Sequence, residues 1–273
     1  MNYRYVDVHC HPNLHSLKGD QEGVIGRMKG EGVLGIVVGV DEESSIEAVR
    51  LADAHEHLYA CIGLHPNYSS SENFDISKFS ELIQNKKVVG VGECGLDFFR
   101  QSTTKAGESV EEGWKEKQWE VFKAQVQFAL SNDLPLMIHC RPTLGSDDAY
   151  EDMASYFESL QGEYKERLRG NMHFFVGGLA VAQRFWALGF TTSFTGVITF
   201  SHDYDEVVRE APAEALLTET DAPYATPVPH RGEVNEPQYV RFVTEKIAEL
   251  RGESVENTQK NILQNAERLF GIR

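Results

Sequence analysis

Apolar residues along this chain change their spacing repeatedly, from short dense runs to stripes at intervals of three and four. The dense runs are rich in β-branched side chains and are bounded by Gly, Pro, Asn or Asp, a pattern that predicts strands. Eight stand out: Tyr5–His9, Val33–Val38, Leu58–Gly63, Val88–Glu93, Pro135–His139, Asn171–Phe175, Thr191–Thr195 and Ala215–Glu219. Between them the spacing turns helical. Trp119, Phe122, Val126 and Leu130 mark one helix face, and Tyr239, Phe242, Val243, Ile247 and Leu250 mark another. A last helix is expected from about Ser254 to Leu269, and Ser44-Ser45-Ile46-Glu47 has the form of a capping box opening the helix after the second strand.

Strand and helix alternating in this way predict a parallel sheet with helices outside, and eight units favour closure into a (β/α)8 TIM-type barrel. An open doubly wound sheet is the alternative, but no GxGxxG follows the first strand and no GxxxxGK[ST] occurs. No Pro/Ser-rich linker or repeat interrupts residues 1–273, so one domain is expected.

Composition narrows the class. The net charge is −16, from 26 Lys+Arg against 42 Asp+Glu, which disfavours a protein that coats nucleic acid. A small, locally positive pocket is still compatible with that balance. The apolar run Val33–Val40 is far short of a membrane span, and the start of the chain has no signal-peptide pattern, so a cytoplasmic location is expected. The four cysteines form no CxxC pair. Cys10, Cys94 and Cys140 each directly follow a candidate ligand, so alternation would turn them away from it, into the layer between strand and helix.

In a barrel the active site lies at the C-terminal ends of the strands. Those ends carry His9 and His11, His65, Glu93, His139, His173 and Asp221. A single histidine there is more often structural, but so many ionisable groups on different strands are hard to explain as packing. Four histidines with two carboxylates exceed one tetrahedral shell, so two divalent ions are expected, Zn, Mn or Mg. Glu93 is the candidate bridge and Asp221 a ligand that could also take a proton from the attacking water; these two are the candidate catalytic residues.

The sequence resembles the TatD family of metal-dependent deoxyribonucleases, within the amidohydrolase-type barrel superfamily. The matching stretches are VDVHCH (6–11), IGLHP (62–66), VGECGLDFFR (91–100), LPLMIHCR (134–141), HFFVGG (173–178), ETDAPY (219–224) and PVPHRGEVNEP (227–237). The resemblance implies His9, His11 and Asp221 on one ion, His139 and His173 on the other, and Glu93 between them. It implies cleavage of DNA phosphodiester bonds by 3′→5′ exonuclease action on ends or single strands. Asp7, two residues behind His9, is the expected outer partner of that imidazole.

For the phosphate, the rim offers His65, Arg100, Arg141, His230 and Arg231 as candidate substrate-binding residues. Each arginine could instead pair with an acid such as Asp97 or Glu236. Asn235 is expected to cap the next helix, and His202 to be a loop residue. Two features depart from the family: Val176 and Gly178 replace the usual hydroxyl residues after His173, and the acidic stretch Gln101–Lys117 is longer than usual. Two other functions are compatible with the ligand set: a metal-dependent esterase or amidohydrolase, such as an aminoacyl-tRNA deacylase, and a non-catalytic metal-holding scaffold.

Overall fold

The structure is a computed structural model that describes residues 3–69, 71–99 and 113–273, apart from the side chains of residues 15 and 16. Its strands are β1 (Tyr5–Cys10), β2 (Val33–Val38), β3 (Leu58–Ile62), β4 (Val88–Asp97), β5 (Leu136–Arg141), β6 (Gly170–Met172), β7 (Thr191–Phe194) and β8 (Leu216–Thr218). They form one parallel sheet in chain order. β8 returns to β1: Thr218 Oγ1 donates to Val6 O at 2.8 Å, Asp221 N to His9 O at 3.0 Å and His11 N to Ala222 O at 2.9 Å. The architecture is that of a (β/α)8 barrel.

Strand ends shift by a residue or two from the expected ranges, and the two largest differences have local reasons. β4 runs past Glu93 to Asp97 because Gly92 and Gly95 have φ of +149° and +146°, which L side chains rarely adopt. A Cβ on Gly95 would lie 1.9 Å from His139 O, so the glycine lets β4 lie against β5. β6 stops at Met172, short of the expected end at Phe175, because the chain turns at Phe174, whose φ is +45°.

The helices over described residues are α1 (His15–Lys18), α2 (Gln21–Gly30), α3 (Glu42–Ala54), α4 (Ile76–Leu82), α5 (Trp114–Ser131), α6 (Asp148–Tyr164), α7 (Leu179–Ala187), α8 (Asp205–Glu210), α9 (Val240–Arg251) and α10 (Val255–Phe270). α3 corrects the expected cap. Its N-cap is Asp41, whose carboxylate accepts from Ser44 N at 2.8 Å while Ser44 Oγ accepts from Asp41 N at 3.0 Å. Asp41 starts the helix earlier because the better acceptor is already there; Ser44 and Ser45 are buried within the first turns.

The α5 stripe packs as expected: Phe122, Val126 and Leu130 are buried, and Trp119 meets Tyr156 of α6 at 5.4 Å. Phe122, Phe157, Phe185 and Phe190 join the helices to the sheet, each fully buried aromatic contributing about 1.5–3 kcal/mol. On α9 the expected stripe divides. Val243 and Ile247 enter the core, whereas Tyr239 and Phe242 lie against His230. All four cysteines are buried and free, and burial pushes their thiols up, away from the thiolate form.

Candidate metal centre

His9 is on β1 and His11 follows it, and the interlacing of β1 with the segment after β8 sets Asp221 beside them. Asp7 secures that junction. Its carboxylate accepts from His9 N at 3.2 Å, from Thr220 N at 3.0 Å and from the Thr220 hydroxyl. This corrects its expected role as partner of the His9 ring, since its oxygens are used by backbone and hydroxyl donors. Asp221 has φ of +51°, uncommon for a residue with a Cβ. The turn is held by Tyr224 N donating to Asp221 O at 2.8 Å and by the Asn235 amide donating to Thr220 O at 2.9 Å and to Tyr224 O. Asn235 therefore braces this loop and does not cap the following helical turn, Pro237–Tyr239, which has no side-chain cap.

Glu93 stands at the middle of the cluster with its two oxygens facing different imidazoles. Oε2 lies 3.4 Å from His9 Nε2 and 3.7 Å from His11 Nε2. Asp221 Oδ1 faces the same pair, at 3.8 and 3.4 Å. Oε1 lies 2.9 Å from His139 Nδ1, 2.9 Å from His173 Nε2 and 3.3 Å from His65 Nε2. The six expected ligands thus come together, and His65 joins them.

Buried charge makes the cluster strongly coupled. Burial would raise the Glu93 carboxyl, but His65, His173 and His9 around it hold it well below the usual range, so it stays ionised. Burial opposes protonation of His173, His139 and His11, yet the facing carboxylates raise all three. His9 and His65 go the other way, because burial outweighs their acidic neighbours.

The far nitrogens decide which ring atoms can offer a lone pair. His11 Nδ1 donates to Val38 O at 2.9 Å, which leaves Nε2 as the donor atom toward Glu93 and Asp221. His173 Nδ1 faces Glu219 Oε2 at 3.3 Å, and His139 Nε2 faces Asp97 Oδ2 at 3.4 Å. Burial would raise the Asp97 carboxyl, but His139, His65 and Arg141 pull it down to about 2. His65 differs: its Nδ1 accepts the backbone N–H of Asn67 at 3.1 Å, so in the neutral ring the proton is on Nε2.

Glu219 and Asp97 were not among the candidates read from the sequence. The available signals were position alone, Glu219 two residues before Asp221 and Asp97 four after Glu93.

The other rim candidates are more dispersed. The Arg141 guanidinium lies 3.8 Å over Phe99, and that of Arg231 4.0 Å over Phe200, with Arg231 Nη1 donating to Thr226 O at 2.9 Å. His230 stacks on Tyr239 at 4.1 Å and pairs with Glu233 at 3.1 Å. Glu236 is bound to Arg27 at 2.8 Å, so it is not the partner of Arg231. Arg100 and residues 101–112 of the acidic stretch lie outside the described residues. Val176 N donates to Tyr150 Oη at 3.1 Å, and Gly178 is the N-cap residue of α7. His202 is an exposed loop residue paired with Asp205 at 3.2 Å.

The donor set fits divalent ions. His9, His11 and Glu93 place one ligand-type atom each within 4.8 Å of one another, as do His9, His173 and Asp221; His65, Glu93 and His139 are as close, although the Nδ1 lone pair of His65 is taken by Asn67 N. His9 Nδ1 is buried without a hydrogen-bond partner among the described residues, with Glu219 Oε2 3.9 Å from it. A mixed imidazole and carboxylate set suits Zn, Mn or Mg, and thiolates take no part.

The comparisons agree with this chemistry. The profile of the family described as TatD related DNase matches residues 6–271. An uncharacterized metal-dependent hydrolase of Bacillus subtilis, YabD, is 37% identical over 97% of this chain and 98% of its own. The 3'-5' ssDNA/RNA exonuclease TatD of Pantoea ananatis is 30% identical over 93% of this chain and 94% of its own. The crystal structure of YjjV, a TatD homolog from Escherichia coli K12, superposes with a TM-score of 0.86 at 28% identity, covering 100% of both chains. A metal-dependent hydrolase by fold, donor set and kinship, the chain belongs to the TatD related DNase family.

Proposed function

We propose that the protein is a phosphodiesterase that removes nucleotides from the 3′ end of DNA, with a preference for ends and single strands, using two divalent ions. The observation that carries this reading is the division of Glu93: Oε2 faces His9 and His11, Oε1 faces His139 and His173. A carboxylate so placed can join two ion sites. The relative from Pantoea ananatis, described as acting on single-stranded DNA and RNA, supports the substrate class.

Ions bound there would supply a reactive water at neutral pH and neutralise charge on the phosphoryl oxygens. The side chains do the rest. Asp221, the most accessible carboxylate facing the first pair of histidines, accepts the proton of the attacking water. Nε2–H of His65 is directed into the centre and donates to a phosphoryl oxygen. Arg141, Arg231 and His230 on the rim supply positive charge for the flanking phosphates, with Arg100 in the same role from its position in the sequence. That local charge lets an acidic protein hold a strand end.

The test is a reconstitution. Protein stripped with a chelator and reloaded with Mg, Mn or Zn is given 5′-labelled single- and double-stranded oligonucleotides, matching RNA, and carboxylic esters. A ladder shortening from the 3′ end supports the reading. Ester or amide cleavage without nuclease action overturns it in favour of an amidohydrolase-type activity, and metal binding without any turnover favours a scaffold.

A further inference from the structure

Glu219 is fully buried just beyond β8, and every contact it makes holds it in place. Oε1 accepts from Phe174 N and from Ser193 Oγ, the latter at 3.1 Å. Ser193 Oγ in turn accepts from the Asn171 amide at 2.6 Å, and Thr191 Oγ1 donates to Asn171 Oδ1 at 2.9 Å. This polar ladder runs inside the barrel from β6 and β7 and fixes the carboxylate from below. Oε2 is left facing upward, 3.3 Å from His173 Nδ1 and 3.9 Å from His9 Nδ1. The two rings are stacked, with centroids 3.8 Å apart and planes at 11°.

His9 and His173 belong to opposite sides of Glu93. For each to turn a lone pair on Nε2 toward an ion, its proton must be on Nδ1, and Glu219 Oε2 is the carboxylate beside both. We infer that Glu219 is a positioning residue shared by the two ion sites, accepting the Nδ1–H of His173 at 3.3 Å and orienting that of His9, 3.9 Å from the same oxygen, through its charge, and so linking the affinities of the two ions. The inference rests on the two-ion reading above. Asp97 provides the contrast, because its contact is with His139 Nε2, a ring on one side of Glu93.

The experiment is a stepwise metal titration of chelator-stripped protein with Mn²⁺ by calorimetry, with the apoprotein Tm recorded alongside. Loss of an outer carboxylate typically costs 10–100-fold in metal affinity. Glu219→Gln is expected to weaken both binding steps by about that factor, and Asp97→Asn only one. Ser193→Ala, which loosens Glu219 without removing it, is expected to weaken both steps in the same direction and keeps the test valid if Glu219→Gln does not fold. A merely structural role would lower the apoprotein Tm and leave both affinities at the wild-type value. That result, or loss of one step only, overturns the shared role. Wild-type protein binding fewer than two ions overturns the two-ion reading itself, and the inference with it.

Discussion

His65 Nε2 stands 3.3 Å from Oε1 of Glu93, as close to the centre as a metal ligand, yet the ring is turned as a donor. The backbone N–H of Asn67 occupies the lone pair of Nδ1, so Nε2 carries the proton and has none to offer an ion. Proximity and tautomer point in different directions here, and the tautomer decides the role.

His65→Asn should therefore leave the metal content at two ions and lower kcat by about 10²–10³, the usual cost of removing one donor aimed at developing charge. Metal analysis beside single-turnover kinetics checks it. Loss of an ion from the variant would make His65 a ligand and sink the donor role.

Glu93→Gln removes the charge that both imidazole sets face. Turnover should fall by at least about 10³ and both ions should bind more weakly, since Oε1 and Oε2 serve opposite sides. His11→Ala, by contrast, touches only the Oε2 side, so one ion should persist at near-native affinity. Equal loss of both ions in His11→Ala would show that the two sides are not separate sites.

Much of this was legible from the chain. Runs of β-branched residues placed all eight strands, because strands buried on both faces must be nearly continuous in apolar side chains. The ligand types stood out because imidazoles and carboxylates at strand ends have little reason to be there as packing. Less legible were features that depend on the third dimension. Glu219 and Asp97 each face an imidazole distant in sequence, and Asn235 spends its amide on carbonyls that only the folded loop brings to it. Local pattern also misplaced the cap of α3, where Asp41 competed successfully with the Ser44 motif.

The rim carries a second kind of surface. Phe200 and Tyr224 are 42% and 57% exposed, with the Arg231 guanidinium over the Phe200 ring and Val228 N bonded to Thr199 Oγ1 next to it. Unpaired bases stack on such groups at about 1–3 kcal/mol each. Phe200→Ala should raise KM for a single-stranded oligonucleotide about tenfold and leave KM for a small phosphodiester unchanged. Equal effects on both substrates would place the side chain in support of the loop, with no part in holding bases.

His57, at the opposite end of β3 from the site, gives the fold its own pH response. It is 1% exposed, with the Ile25 backbone beside the ring and no well-formed hydrogen bond to either ring nitrogen among the described residues. Burial first, then the nearby His55 and Lys29, lowers its pKa to about 4. In the unfolded chain the value returns to about 6.5. Between these limits the unfolded state takes up a proton that the folded state refuses, so stability falls as the pH drops from about 6.5 toward 4 and is fully present above that window. Below about 4 both states are protonated and this contribution stops changing. His57→Leu keeps an apolar group in the same space and removes the titration, so its Tm should fall less steeply over that window than the wild-type Tm. Comparing the two metal-stripped proteins cancels the titration of the ligand histidines, which both retain. Parallel Tm curves from pH 7 to 4 would show that His57 protonates as readily in the folded protein as outside it.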